Sequence, residues 1–180
     1  MTVDNLNHMI RKCLYPMSWS TSLFLPGDRI IITEPAASWD DGKLIASTDS
    51  EGTVEKVDTI DHPIHSHILC YRLTVSMDDG GIEIFHPIHE ASQKIFDTQL
   101  AELAGLAKLT PRMWNDYWKF YESFHFLRHG YAITSHRSQG STYEKVFVDA
   151  NDILRNRNRG EAFRCLYVAC TRARKELIIT

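Results

Sequence analysis

The chain has 180 residues, 43% of them hydrophobic, and a formal net charge of −3. That is apolar material for one ordinary core or two small ones, and the balance of charge excludes a uniformly basic nucleic-acid binder. No apolar run reaches the length of a membrane span, Met1 to Ile10 is too polar for a signal peptide, and Cys13, Cys70, Cys165 and Cys170 lack C-x-x-C spacing, so the expectation is a cytoplasmic protein with reduced thiols and no membrane partner.

The charge is unevenly placed. Residues 130–180 hold nine Lys/Arg against five Asp/Glu, a net of +4, leaving −7 for residues 1–129. A local basic face on a mildly acidic protein suits one that grips nucleic acid along a single groove.

Val3, Leu6, Ile10 and Leu14 mark an amphipathic helix over Thr2 to Leu14, with Asp4 and Asn5 near its start and Arg11 and Lys12 near its end; Pro16 stops it. Asn7 and Arg11 read as polar groups on its surface, with a functional role as the alternative. Leu25 to Thr33 gives a turn and a β-branched strand. Leu44 to Ser47 and Thr53 to Thr59 read as strands across Thr48–Gly52, and Ile68 to Met77 with Ile82 to His86 as a hairpin across Asp78-Asp-Gly-Gly81. Five short strands in about seventy residues point to a small barrel.

His62, His65, His67, His86 and His89 lie near strand ends. A structural or surface role fits them; a zinc site is the alternative, although no paired cysteines and no H-E-x-x-H accompany them. Ile88 to Ala107 and Pro111 to Leu127 read as two helices, Thr110 capping the second and Pro111 opening it. Along the second, Trp114, Tyr117, Trp118, Tyr121 and Phe124 or His125 form a stripe at helical spacing. It reads as core, with a base-stacking surface as the alternative.

Tyr131 to Thr134 and Val146 to Val148 read as short buried strands flanking a polar loop, Ser135 to Gly140, and Ser141-Thr-Tyr-Glu144 has capping-box spacing for a helical turn. Backbone N–H groups left free in such a loop suit phosphate oxygens. Asn151 to Gly160 reads as a solvated basic loop. Phe163, Leu166, Tyr167 and Cys170 then predict a helix packing that face inward, ending in the basic run Arg172, Arg174, Lys175 before a closing strand, Leu177 to Thr180.

At two places the pattern becomes specific. Thr134-Ser-His-Arg-Ser-Gln-Gly140 resembles motif V of superfamily 1 helicases, and Leu166-Tyr-Val-Ala-Cys-Thr-Arg-Ala-Arg174 resembles their motif VI, most closely in the RecD-like, Dda-like branch with its UvrD-like C-terminal domain. Val3-Asp-Asn-Leu-Asn-His-Met-Ile-Arg11 is similar to a helix of that family without the strand that precedes it. The resemblance implies an α/β fold: an incomplete second RecA-like, P-loop-NTPase-like domain (1–19 and 129–180) with an inserted SH3-like β-barrel (20–88) and a helical segment (89–128).

It also implies a function, the C-terminal motor half of an ATP-dependent DNA helicase. Arg172 would be the arginine finger. Gln139, Gly140 and Ser141, with Arg172, would approach the nucleotide, and Thr134, Ser135, His136 and Arg137 would contact the sugar–phosphate track. Ser141-Thr-Tyr143 stands where related enzymes carry Leu-Glu-Phe, so no ribose contact is assigned. ATP and Mg²⁺ would be bound mainly by a separate N-terminal RecA-like lobe, because no G-x-x-x-x-G-K-[ST] occurs: Gly42-Lys43 lacks the earlier glycine and is followed by Leu44. The expected partners are single-stranded DNA and that lobe, with 5′-to-3′ polarity, and the fragment alone is expected to be inactive. Two alternatives are a stand-alone nucleic-acid- or protein-binding module descended from a helicase, and a zinc-dependent hydrolase built on the histidines.

Overall fold

A computed structural model describes residues 2–39 and 42–180. The fold is mixed α/β and divides into two compact units, Ile10–Tyr131 and Met1–Met9 with Ala132–Thr180. Helix α1 (Val3–Leu14) begins in the discontinuous unit and ends in the other.

In unit Ile10–Tyr131 the strands are β1 (Arg29–Ile32), β2 (Ala36–Ala37), β3 (Leu44–Ala46), β4 (Glu51–Asp61), β5 (Leu69–Met77) and β6 (Ile82–Phe85). After them come α2 (Gln93–Leu109), α3 (Trp114–Tyr121) and β7 (Leu127–His129). An antiparallel five-stranded sheet runs in the order β6-β5-β4-β1-β7, and β2 pairs with β3 alone. The β5–β6 hairpin turns on Gly80 and Gly81, whose φ values of 99° and 97° are open to glycine and strained for other residues. Alternation along β5 places Tyr71, Leu73, Val75 and Met77 on one interior face. The sheet core gathers Phe24, Ile30, Ile32, Val54, Tyr71, Leu73, Val75 and Phe85. A second cluster, Ile68, Cys70, Ile88, Phe96, Phe120 and Phe124, joins the helices to the end of the β4–β5 hairpin.

Two expectations change here. The second helix stops at Tyr121, and Leu127 lies in strand β7, paired with Ile32 of β1. The aromatic stripe is core only at its far end: Phe124 and His125 are buried, Tyr117 and Tyr121 are half-buried, and Trp114 and Trp118 are 37% and 49% exposed.

Three of the histidines are buried around Trp39. Ring centroids of His62, His86 and His125 lie 4.9, 4.1 and 6.0 Å from that of Trp39. His62 Nδ1 accepts from the backbone N–H groups of Ile64 and His65, so its proton sits on Nε2, 2.9 Å from the carbonyl oxygen of Ser123. His125 repeats the arrangement, Nδ1 accepting from His86 N–H and Nε2 facing the carbonyl oxygen of Ala37. Both rings are thereby fixed as neutral tautomers, since a proton on Nδ1 would confront an N–H donor. Among the described residues no three His, Cys, Asp or Glu side chains group as a metal site.

Burial lowers the pKa of His62, His125 and His86, the last to about 3, with neighbouring histidines adding to the shift at His62 and His86. The unfolded chain binds protons at these rings near pH 6.5 and the folded one does not, so their contribution is intact above pH 6.5 and is lost as pH falls below it. His86 alone then costs about 2 kcal/mol of stability by pH 5. Urea denaturation at pH 7.5 and pH 5 should show the loss; equal midpoints would contradict it.

The discontinuous unit contains β8 (Tyr143–Val148), α4 (Ala150–Leu154), α5 (Arg159–Cys170) and β9 (Ala173–Ile179). Strands β8 and β9 pair in parallel, with the helices forming the crossover that parallel strands require. This pairing draws Tyr143 and Glu144 into a strand, so no helical turn opens at Ser141. The turn lies earlier, at Ser135–Gly140, where Ser138 N–H donates to the carbonyl oxygen of Thr134. Residues 131–134 form no strand either: the backbone N–H and C=O of Ala132 are both taken by the Asn7 carboxamide, at 2.7 and 2.9 Å. The expected loop 151–160 is largely helix α4 and the start of α5. No helix among the described residues is long and apolar enough to cross a membrane.

Candidate functional site

Thr134 opens the turn that shapes the site. Its Oγ1 accepts from Arg137 N–H at 3.4 Å, as a capping hydroxyl does, and Ser138 Oγ donates to the carbonyl oxygen of Ser135 at 2.7 Å. The turn closes at Gly140, whose φ of 93° suits glycine. Nothing lies within 4 Å of where its Cβ would stand, so the backbone there is open to a ligand. Thr134, His136, Gln139 and Gly140 are exposed, Ser135, Arg137 and Ser141 are half-buried, and Ser138 is buried.

Opposite the turn stands α5, capped by Asn158, whose Oδ1 accepts from Glu161 N–H. Between them lies an open cleft of about 790 Å³, to which Ser135, His136 and Gln139 contribute from the turn and Asn158, Arg164 and Cys165 from the helix. His136 Nε2 is 3.9 Å from Cys165 Sγ across it. The helix does not bury the face its spacing predicts: Phe163 and Tyr167 are 61% and 70% exposed, while Ala162 is the buried position.

Arg172 follows α5 and leads into β9. Its guanidinium is half-buried and donates to Val168 O at 3.1 Å, Thr171 Oγ1 at 3.0 Å and Ser141 O at 3.3 Å. Tyr143 N–H in turn donates to Arg172 O. Ser141, which directly follows the first motif-like segment, and the arginine of the second are therefore fastened together, 31 positions apart in sequence. Among the described residues every partner of the guanidinium is neutral, which leaves its charge available to an anion. The structure brings together all eight residues singled out in sequence; Arg172 itself is beside the cleft rather than in its lining.

Two supporting residues escaped the sequence reading. Asn7 is 3% exposed and anchors Ala132, two residues before Thr134. Arg11, 5% exposed, donates through Nε to both oxygens of Asp28 at 3.1 Å and through its other nitrogens to the carbonyl oxygens of Trp19 and Ser22. Neither is a surface group. The one sequence signal for them is their place in the family-like stretch Val3 to Arg11.

Residues 129–180 match the UvrD-like helicase C-terminal domain. Over 139 residues, 69% of the chain, the sequence is 41% identical to "Uncharacterized protein R530" of Acanthamoeba polyphaga mimivirus, and it spans 28% of that protein's length.

Proposed function

We propose that the chain is the C-terminal motor half of an ATP-dependent DNA helicase of the RecD-like, Dda-like branch, working with an N-terminal RecA-like lobe that carries the P-loop. Within it, residues 132–180 belong to the second RecA-like domain and the antiparallel sheet to an SH3-like insertion. The observation that carries this reading is the bond from Arg172 to Ser141, which joins a cation with only neutral partners to a turn fronting an open cleft.

The residues present fit a nucleoside triphosphate. Gly140 leaves backbone open to a phosphate, and Arg172 offers a permanent planar charge for oxygen anions. ATP with Mg²⁺ supplies the phosphoryl group whose transfer to water releases free energy. Arg172 stabilises the negative charge that develops during the transfer, the carbonyl oxygen of Ser141 holds it against the turn, and Gln139, Gly140 and Ser141 approach the nucleotide. Thr134, Ser135, His136 and Arg137 grip the sugar–phosphate backbone of single-stranded DNA. Because one turn serves both ligands, a displacement of Arg172 shifts the hold on the strand, and hydrolysis becomes movement.

Anisotropy of a labelled oligothymidylate tests the grip. The chain should bind with an affinity that falls steeply with salt, and His136→Glu, which places a negative charge at an exposed position of the turn, should weaken it about tenfold, or 1.4 kcal/mol. Unchanged affinity in that variant would remove the turn from the nucleic-acid interface.

A further inference from the structure

Helix α3 carries more aromatic surface than its packing uses. Its inward side is complete with Phe120, stacked on Phe96 at 5.3 Å and joined by Phe124. Trp114 and Trp118 nevertheless stand 37% and 49% exposed, one helical turn apart and hence on one face. Edge-to-face contacts link Trp114 to Tyr117 at 5.2 Å, Tyr117 to Trp118 at 5.0 Å and Trp118 to Tyr121 at 5.9 Å, and the Tyr121 hydroxyl donates to Glu34 at 2.7 Å. These contacts fix the ring orientations in advance, so a ligand meeting the indoles has little ordering entropy left to overcome.

The charge around the ladder identifies the ligand class. Between Lys108 and Glu122 stand three exposed cations, Lys108, Arg112 and Lys119, against two exposed carboxylates, Asp116 and Glu122, a net of +1 in a stretch of chain (residues 1–129) whose net charge is −7. The local sign is inverted where the indoles are exposed. Flat aromatic faces interleaved with cations suit a flexible polyanion that offers unstacked bases. A duplex does not meet that requirement, since its base faces are already covered.

We propose that the α3 ladder is a stacking platform for single-stranded nucleic acid, with Trp114 and Trp118 taking bases and Lys108, Arg112 and Lys119 the adjoining phosphates. This rests on the nucleic-acid reading above and adds a contact outside the turn at Thr134–Ser141.

Tryptophan emission and anisotropy during titration of the whole chain with oligothymidylate test it. Emission should be quenched by the single strand and not by a duplex of equal length. The conservative pair Trp114→Phe/Trp118→Phe, which keeps the packing, should lose most of the quench, leaving Trp19 and Trp39 as the remaining tryptophans. Trp114→Ala/Trp118→Ala, checked for an unchanged melting temperature, should weaken binding at least about fivefold. Wild-type affinity in the alanine pair overturns the platform; if His136→Glu still weakens binding, the motor reading stands without it. A wild-type dimer in sedimentation that the alanine pair abolishes overturns it too, making the ladder a protein interface. No binding of oligothymidylate by the wild type removes both readings.

Discussion

Asp28→Ala is expected to cost about 3–5 kcal/mol of stability, because it leaves the buried Arg11 guanidinium without its counter-ion. Asp28 is fully buried and receives Arg11 Nε on both oxygens, Tyr131 Oη at 2.7 Å and Leu25 N–H at 2.7 Å, with His129 Nε2 3.6 Å away. These partners come from near the beginning and the end of unit Ile10–Tyr131, so one carboxylate ties together the two strands of chain that lead into and out of it. Arg11 is held on its other nitrogens by the carbonyls of Trp19 and Ser22, which fixes it in the interior whether or not Asp28 is there. Replacing both charges, as in Arg11→Met/Asp28→Leu, should recover much of the loss, since two apolar groups leave no uncompensated charge.

The same carboxylate has its own pH window. Burial pushes its pKa up, but hydrogen bonds from His129, Tyr131, Arg11 and Leu25 N–H together outweigh burial and hold it below the usual carboxylate range. With the folded pKa depressed, its contribution is present above the unfolded value near 4 and is lost as pH falls through the folded one. The histidine loss begins near pH 6.5 and for His86 runs down to about pH 3, so it overlaps this window; denaturation followed from pH 7 downward should steepen below about pH 4, and Asp28→Ala should remove that steepening. A cost under 1 kcal/mol at pH 7 for Asp28→Ala would show that the node is not what closes this unit.

Strand alternation and turn glycines made the sheet legible in the sequence: Ile68 to Met77 and Ile82 to His86 differ from β5 and β6 by a residue at most at each end. The helical period along residues 114–125 found a helix but could not say which of two aromatic faces is inside, since Phe120 and Phe124 fill the core and the tryptophans do not. Ser141-Thr-Tyr-Glu144 has the local spacing of a helix cap, yet parallel pairing of Tyr143 with Ala173 decided its conformation, a contact thirty residues away that no local pattern records. Ala132 is satisfied by a side chain from position 7 instead of a neighbouring strand, for the same reason. The candidate site was more legible than its supports. Thr134 to Ser141 and Arg172 stand in two recognisable segments, whereas Asn7, Arg11 and Asp28 are polar residues whose burial depends on partners far along the chain.

The central claim concerns Arg172. Among the described residues its guanidinium donates only to neutral oxygens and is fastened to Ser141, so removing it should leave the turn and the nucleic-acid affinity largely in place while removing the positive charge from the proposed phosphoryl-transfer site. Catalytic arginines of this kind are worth about a thousandfold or more in kcat. Lysine should restore little, because a point ammonium cannot reproduce the planar fork. A role confined to folding would instead lower the melting temperature and weaken oligonucleotide binding in step with activity.

The most direct measurement joins the chain to the proposed N-terminal P-loop lobe and follows ATP hydrolysis stimulated by single-stranded DNA, for wild type, Arg172→Ala and Arg172→Lys. The account predicts that kcat falls about a thousandfold in Arg172→Ala, with the KM for ATP and the affinity for DNA within a few-fold of wild type. Hydrolysis that continues undiminished in Arg172→Ala would contradict it.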